Sequence, residues 1–189
     1  GGKMSTNLKI YANYVHHGRG TSYGMRLDRM MGGWVSNNIV CSNHGRQGIY
    51  VEYCEGVSFA NNEVYSNYNQ GFYLEASTKQ CTFTSNRVHH NRDNGIHSVD
   101  LNGNTFRGNT VYSNNDVGFN LVRCTNYIVN DNTVYGHADD NGICVNACVG
   151  VCLTNNHIYE NDDDEGGVRI ESLSTGTKLA KNNIHDNRN

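Results

Sequence analysis

Apolar and polar residues alternate along the chain with a period of two, in short bursts separated by turns rich in Asn and Gly. Phe72 and Leu74, for example, alternate with Tyr73 and Glu75. Val, Ile, Tyr, Phe and Thr fill these bursts, as in strands, and no ten-residue stretch carries a 3.6-residue apolar period. The bursts also recur. A phrase Asn-x-(Val/Ile)-(Tyr/His/Cys)-x-Asn, with small departures, begins at Asn13, Asn38, Asn62, Asn86, Asn109, Asn132, Asn156 and Asn182, at spacings of 25, 24, 24, 23, 23, 24 and 26. A second phrase, Gly-apolar-x-apolar, starts at Gly24, Gly48, Gly71, Gly95, Gly118, Gly142 and Gly167, with Ser98 in the last slot of the Gly95 copy. A third apolar position precedes each leading Asn by three residues: Ile10, Val35, Phe59, Phe83, Phe106, Val129, Leu153 and Leu179.

Three phrases in constant phase predict a unit of 23–26 residues holding three short strands. Such a unit cannot bury its apolar side alone, and stacking on its neighbours makes one continuous core. The expectation is a single all-β domain over residues 1–189, a parallel β-helix of about seven coils, each adding ~4.8 Å. The first six residues read as a tag or the start of a fragment.

Composition sharpens this picture. Asn accounts for 30 of 189 residues, Gly for 21 and Pro for none, while hydrophobic residues are 37% and charged residues 17%. Asn suits tight turns and can bond to its own kind in stacked parallel strands. Asn43, Asn67, Asn91, Asn114, Asn161 and Asn187 form one such predicted column, broken by His137, with Gly18 in the first coil. The net charge of −3 points away from nucleic acid, and no apolar run approaches the ~20 residues of a membrane-spanning helix. Seven cysteines include no CxxC. Cys54, Cys124 and Cys148 share a predicted inward column with Met30, Ser77, Leu101 and Leu173, and Cys81 shares another with Val57, Tyr127 and Val151. Cys144 falls at an outward position, and strand alternation parts it from Cys148 and Cys152, against a zinc site.

The two phrases resemble the repeats of right-handed parallel β-helix proteins, the pectate-lyase-like superfamily and the carbohydrate-binding and sugar-hydrolase repeat group. The resemblance covers about residues 7–187 and implies a right-handed solenoid. It implies a polysaccharide as partner, an extracellular or cell-surface location, and, for an enzyme, a lyase, epimerase or glycosidase. Mannuronan epimerases carry Tyr-Gly-Phe-Asp-Pro-His on one such strand. The corresponding stretch here, Asn94-Gly95-Ile96-His97-Ser98, keeps only the Gly and the apolar residue after it, so that activity is not carried over.

Candidate chemistry belongs to outward columns. The first outward residue after each Gly runs Arg26, Tyr50, Tyr73, His97, Asn120, Cys144, Arg169, and the next runs Asp28, Glu52, Glu75, Val99, Val122, Asn146, Glu171. Tyr50, Tyr73 and Arg26, with Arg46 from the preceding turn, form a predicted sugar platform, since rings pack on sugars and guanidinium groups bind hydroxyls or carboxylates. A catalytic set is also available. His97, with a reference pKa of ~6.5, would serve as base, Tyr73 as acid, and Arg92 or Arg46 as partner of a uronate carboxylate. Glu52 and Glu75 on neighbouring coils, ~5 Å apart, approach the carboxylate spacing of retaining glycosidases. The same ladders also stabilise a sheet without any ligand.

An acidic column precedes the Gly strands: Asp93, Asp116, Asp139, Asp140, Asp162, Asp163, Asp164 and Glu165. Its members from Asp116 to Asp164 are candidate ligands for Ca²⁺, which would relieve their mutual repulsion. Most histidines occupy or adjoin the aromatic slot of the Asn phrase, beside Tyr65, Tyr112, Tyr135 and Tyr159, and read as members of that ladder. The first coil presents strands at Leu8–Ile10 and Met25–Leu27, and the last at Val168–Ile170 and Lys178–Leu179. These unpaired edges predict head-to-tail self-association or a longer native chain, and a non-catalytic stacking solenoid is the alternative function.

Overall fold

A computed structural model describes residues 3–138, 140–162, 166–171 and 173–187. The described residues form 23 strands and no helix. Each coil contributes one strand to each of three parallel sheets, two of eight strands and one of seven. The first sheet runs from Ser5–Tyr11 to Lys178–Ala180 and the second from Tyr14–His16 to Asn183–His185. The third comprises Met25–Asp28, Ile49–Glu52, Phe72–Glu75, Ile96–Val99, Phe119–Val122, Ile143–Asn146 and Val168–Ile170. Every strand pairs with its equivalent one coil away, as in Phe59↔Phe83↔Phe106. This is the parallel β-helix that the three phrases predict.

The corners between the first two sheets are made by a left-handed residue in each coil. Ala12, Asn37, Asn61, Ser85, Asp131, Asn155 and Lys181 take φ of 53–58°, and Gly108 takes 62°. Asn and Asp tolerate this region better than other residues with a Cβ. Repetition lets each corner N–H donate to the next coil, for example Asn61 N to Thr84 O at 3.1 Å. The peptide ladder therefore continues around bends that would otherwise strand buried donors.

Inside, like sits on like. Val35, Phe59, Phe83, Phe106, Val129 and Leu153 form one fully buried column, with Phe59–Phe83 and Phe83–Phe106 ring centroids 4.5 and 4.7 Å apart. Two Asn columns are present, one made by the leading Asn of each phrase and the other the predicted one. In the first, each side-chain amide donates to the next coil's Asn, as in Asn62 to Asn86 and Asn86 to Asn109, both 3.0 Å. It also donates back to a core-strand carbonyl, as in Asn86 to Phe59 at 3.0 Å. The second column runs Asn43–Asn67–Asn91–Asn114, interrupted at His137 and resumed at Asn161–Asn187. The glycines opening third-sheet strands make room for it: a Cβ on Gly71 would lie 2.4 Å from Val88 Cγ1 and 2.7 Å from the Gly95 carbonyl.

Two predicted inward residues are corrected. Ser77 is exposed, and Thr78 takes its slot, fully buried and accepting the Cys54 N–H. Leu173 is 82% exposed, and Ser174 takes its slot by accepting the Cys148 N–H at 3.2 Å. In both coils one extra residue enters the turn after the third-sheet strand. Ala76, Ser77 and Leu173 adopt positive φ there, so the surplus residue bulges outward and the next polar side chain caps the core. All seven cysteines are free thiols, six of them buried, including Cys144 beneath its outward neighbours.

The candidate functional site

The outer face of the third sheet places the predicted residues in register. Arg26 pairs with Tyr50, Tyr50 with Tyr73, Tyr73 with His97, and His97 with Asn120. Tyr50 and Tyr73 stack at 5.8 Å with 6° between planes, and Tyr73 and His97 at 5.1 Å. Tyr23, in the turn before the first strand, extends the row by packing 4.5 Å from Tyr50. These rings use their flat faces on one another. What they offer outward is edges and polar atoms, so a sugar would meet hydroxyl and imidazole groups rather than a broad aromatic surface.

The carboxylates are engaged rather than free. Glu52 is only 7% exposed and accepts from Arg26 Nε at 2.6 Å, while the Tyr50 hydroxyl donates to Glu75. Burial raises the Tyr50 pKa, with Glu75 adding to the effect. Burial, again with Glu75, pushes the Tyr73 phenol up to about 12, so it stays protonated and able to donate at neutral pH. His97 moves the other way. Burial holds its pKa below the ordinary value, against the opposing pull of Asp93 and Glu75, and its buried Nδ1 has no hydrogen-bond partner. A neutral imidazole beside a protonated phenol is a competent base–acid pair.

The two predicted arginine partners pack on turn tyrosines rather than on Tyr73 or His97. Arg46 donates to the Tyr23 hydroxyl at 2.7 Å and lies over that ring, and Arg92 lies over Tyr68 at 5.0 Å. Both cap turn tyrosines. The charged groups acting on His97 are instead Asp93, which accepts from Gln70, and Glu75. Tyr23, Gln70 and Asp93 belong to this site although the alternation of the strands alone does not select them. They occupy the turn just before each Gly, and the phase of the Gly phrase is the signal that aligns them.

Of the predicted calcium ligands, Asp139, Asp163 and Asp164 lie outside the described residues. Asp116 and Asp140 interact: burial raises the Asp116 pKa, and the charges of Asp140 and Asp93 raise it further. Asp162 lines a surface pocket of about 340 Å³ with Glu160, Asp186 and His137. Among the described residues no three His, Cys, Asp or Glu side chains converge as metal ligands. No described helix is long and apolar enough to cross a membrane.

Solved structures share this architecture. The A-module of the Azotobacter vinelandii mannuronan C-5 epimerase AlgE4 matches with a TM-score of 0.81 and 17% identity over 94% of this chain and 52% of that one. The periplasmic alginate epimerase AlgG matches at 0.69 and 17%, over 95% and 44%. Pectate lyase Pel9A matches at 0.55 and 16%, over 98% and 69%. The chain thus spans about half the length of the two epimerases. No curated protein matches its sequence. At such identities the likeness speaks for the fold. The family model described as "Right handed beta helix region" matches residues 3–134 and 101–189, and the chain belongs to that family of right-handed parallel β-helix proteins.

Proposed function

We propose that the chain binds a polysaccharide along the outer face of the third sheet, across the coils of Tyr23, Tyr50, Tyr73 and His97. The observation that carries this reading is the in-register row of phenol, imidazole and carboxylate groups on one flat face, half-buried at Tyr73, Glu75 and His97 and buried at Tyr50 and Glu52. Its repeat of ~4.8 Å per coil is close to the length of one sugar residue, so a linear glycan laid along the solenoid axis meets an equivalent set of donors and acceptors at each coil. Structures of the same fold are named for an alginate epimerase and a pectate lyase, which lends support to this partner class. Catalysis, if the face performs it, uses neutral His97 as base and Tyr73 as acid. In that reaction the positive charge on a uronate carboxylate would come from a Ca²⁺ held near Asp116 and Asp140. An extracellular or cell-surface setting follows from such a substrate.

A glycan array followed by titration of Tyr73→Ala tests the binding. Binding that weakens in the variant supports the face, and unchanged binding removes it. Release of unsaturated uronate or reducing ends that vanishes in His97→Ala marks an enzyme.

A further inference from the structure

We propose that His89 and His90, with Glu63 behind them, form a two-histidine site for a divalent transition-metal ion of the Cu²⁺ class, on the second sheet and separate from the third-sheet face. The phrase Val-His-His occurs twice, at Val15–His17 and Val88–His90. In an extended strand consecutive side chains point to opposite faces. Here His89 ends the strand Arg87–His89, and His90 takes a left-handed φ of 54°, which swings its ring to the same side. The two Nδ1 atoms lie 2.8 Å apart. Two imidazole nitrogens ~2.0–2.1 Å from one ion and at a right angle to each other span ~2.9 Å, so the backbone already sets the bite of a tetragonal site.

His89 is held on every side. Its ring lies between Tyr65 and Tyr112, at centroid distances of 5.0 and 4.6 Å and nearly parallel to both. Its Nε2 lies 3.2 Å from Glu63 Oε1. The carboxylate accepts the Nε2 proton, which leaves the Nδ1 lone pair toward His90, the arrangement by which carboxylates orient metal-binding histidines. His90 is exposed and packs edge-on against His89 and Tyr112 at 5.1 and 5.7 Å. Without metal, its Nδ1–H donates to His89 Nδ1. With metal, a small rotation of the His90 ring admits the ion, its proton sits on the solvent-facing Nε2, and both Nδ1 lone pairs bind. No proton leaves in that exchange. The nearby Arg87 charge is taken up by Glu63 at 2.9 Å.

No further His, Cys, Asp or Glu joins the pair among the described residues, so water fills the remaining positions. A neutral imidazole pair favours Cu²⁺ over the other first-row divalent ions. The molecule contains its own comparisons. His16 and His17 repeat the Nδ1 contact at 2.6 Å, but both are exposed. His157 and His185, on adjacent strands of the second sheet, meet through Nε2 at 2.8 Å, with the Asp186 carboxylate 2.8 Å from His185 Nδ1.

The test removes these comparisons first, with His17→Asn and His185→Asn. Cu²⁺ is titrated into this protein against a chromogenic chelator, and its electron paramagnetic resonance spectrum is recorded. The expected result is one bound equivalent with hyperfine structure from two imidazoles. Adding His90→Asn, a residue suited to the left-handed turn, weakens binding by more than about tenfold, and adding Glu63→Gln weakens it by about 10–100-fold while both imidazoles remain. A protein that binds no Cu²⁺ before His90 is changed overturns the proposal. So does affinity that survives His90→Asn unchanged.

Discussion

His137 is a flaw in a buried ladder, and replacing it by Asn should repair that flaw in a pH-dependent way. The ring is fully buried, its Nε2 has no partner, and its Nδ1 reaches the backbone of Asn114 at 3.3 Å. The equivalent residues donate their side-chain amide to the next Asn and to a core carbonyl; Asn91 does so to Asn114 at 2.9 Å and to Val64 at 3.2 Å. His137→Asn offers the same pair, toward Asn161 and the Val111 carbonyl. Ending one buried unpaired nitrogen and restoring a hydrogen bond are each worth about 1 kcal/mol or somewhat more, less the apolar area of the lost ring. A gain of about 1–2 kcal/mol at neutral pH is expected. Asn already fits against the strand-opening glycines elsewhere, so no cavity follows.

Acid enlarges the difference. Burial lowers the His137 pKa to about 4 from an ordinary value of 6.5. Above pH 6.5 both folded and unfolded states are neutral here and the ring adds no pH dependence. Between about 6.5 and 4 the unfolded chain binds the proton and the folded one does not, so the natural protein loses stability as pH falls, by about 3 kcal/mol in all at 1.36 kcal/mol per pH unit. The variant lacks that loss. Urea denaturation of both proteins at pH 7, 5.5 and 4.5 measures it, and the two curves should diverge steadily below pH 6.5. Parallel pH profiles, or a variant less stable at pH 7, would refute the reasoning.

The Asp116 carboxyl has a raised pKa from burial and from Asp140, so the folded state prefers it protonated and stability from this group is lost as pH rises through that value. Asp116→Asn should therefore raise the thermal midpoint at pH 7 and leave it unchanged near pH 3, and Ca²⁺ should stabilise the natural protein more than the variant. Gly71→Ala places a methyl 2.4 Å from Val88 Cγ1 and 2.7 Å from a carbonyl oxygen, whereas Gly56→Ala meets open space at a φ of +64°. Thermal melts should show the first costing more than about 3 kcal/mol and the second about 1 kcal/mol, the usual strain of a left-handed residue with a Cβ. Native thiol labelling counted by mass spectrometry should modify Cys152 and spare the six buried cysteines, with Cys81 and Cys144 further protected because burial pushes their pKa to about 12.

Much of this protein was legible from its letters because a solenoid makes tertiary neighbours out of sequence equivalents. Phe59, Phe83 and Phe106 touch because they hold the same place in three successive repeats, and the two Asn ladders follow from the same phase. Alternation also puts Tyr50, Tyr73 and His97 on one face. Periodicity fails where the period itself slips. One surplus residue moved the inward slot from Ser77 to Thr78 and from Leu173 to Ser174, because a turn absorbs an insertion by bulging outward while the strands keep their register. Nor does phase reveal how a side chain uses its freedom. Arg46 and Arg92 both come from turns before third-sheet strands, but their long flexible stems settle on Tyr23 and Tyr68 rather than on Tyr73 and His97. The joining of His89 to His90 rested on a single backbone angle, which no alternation pattern encodes. The repeat thus determined which residues share a column, and the tertiary structure alone decided which of them touch and which way they point, because column membership depends on spacing and contact depends on torsion angles and competing partners.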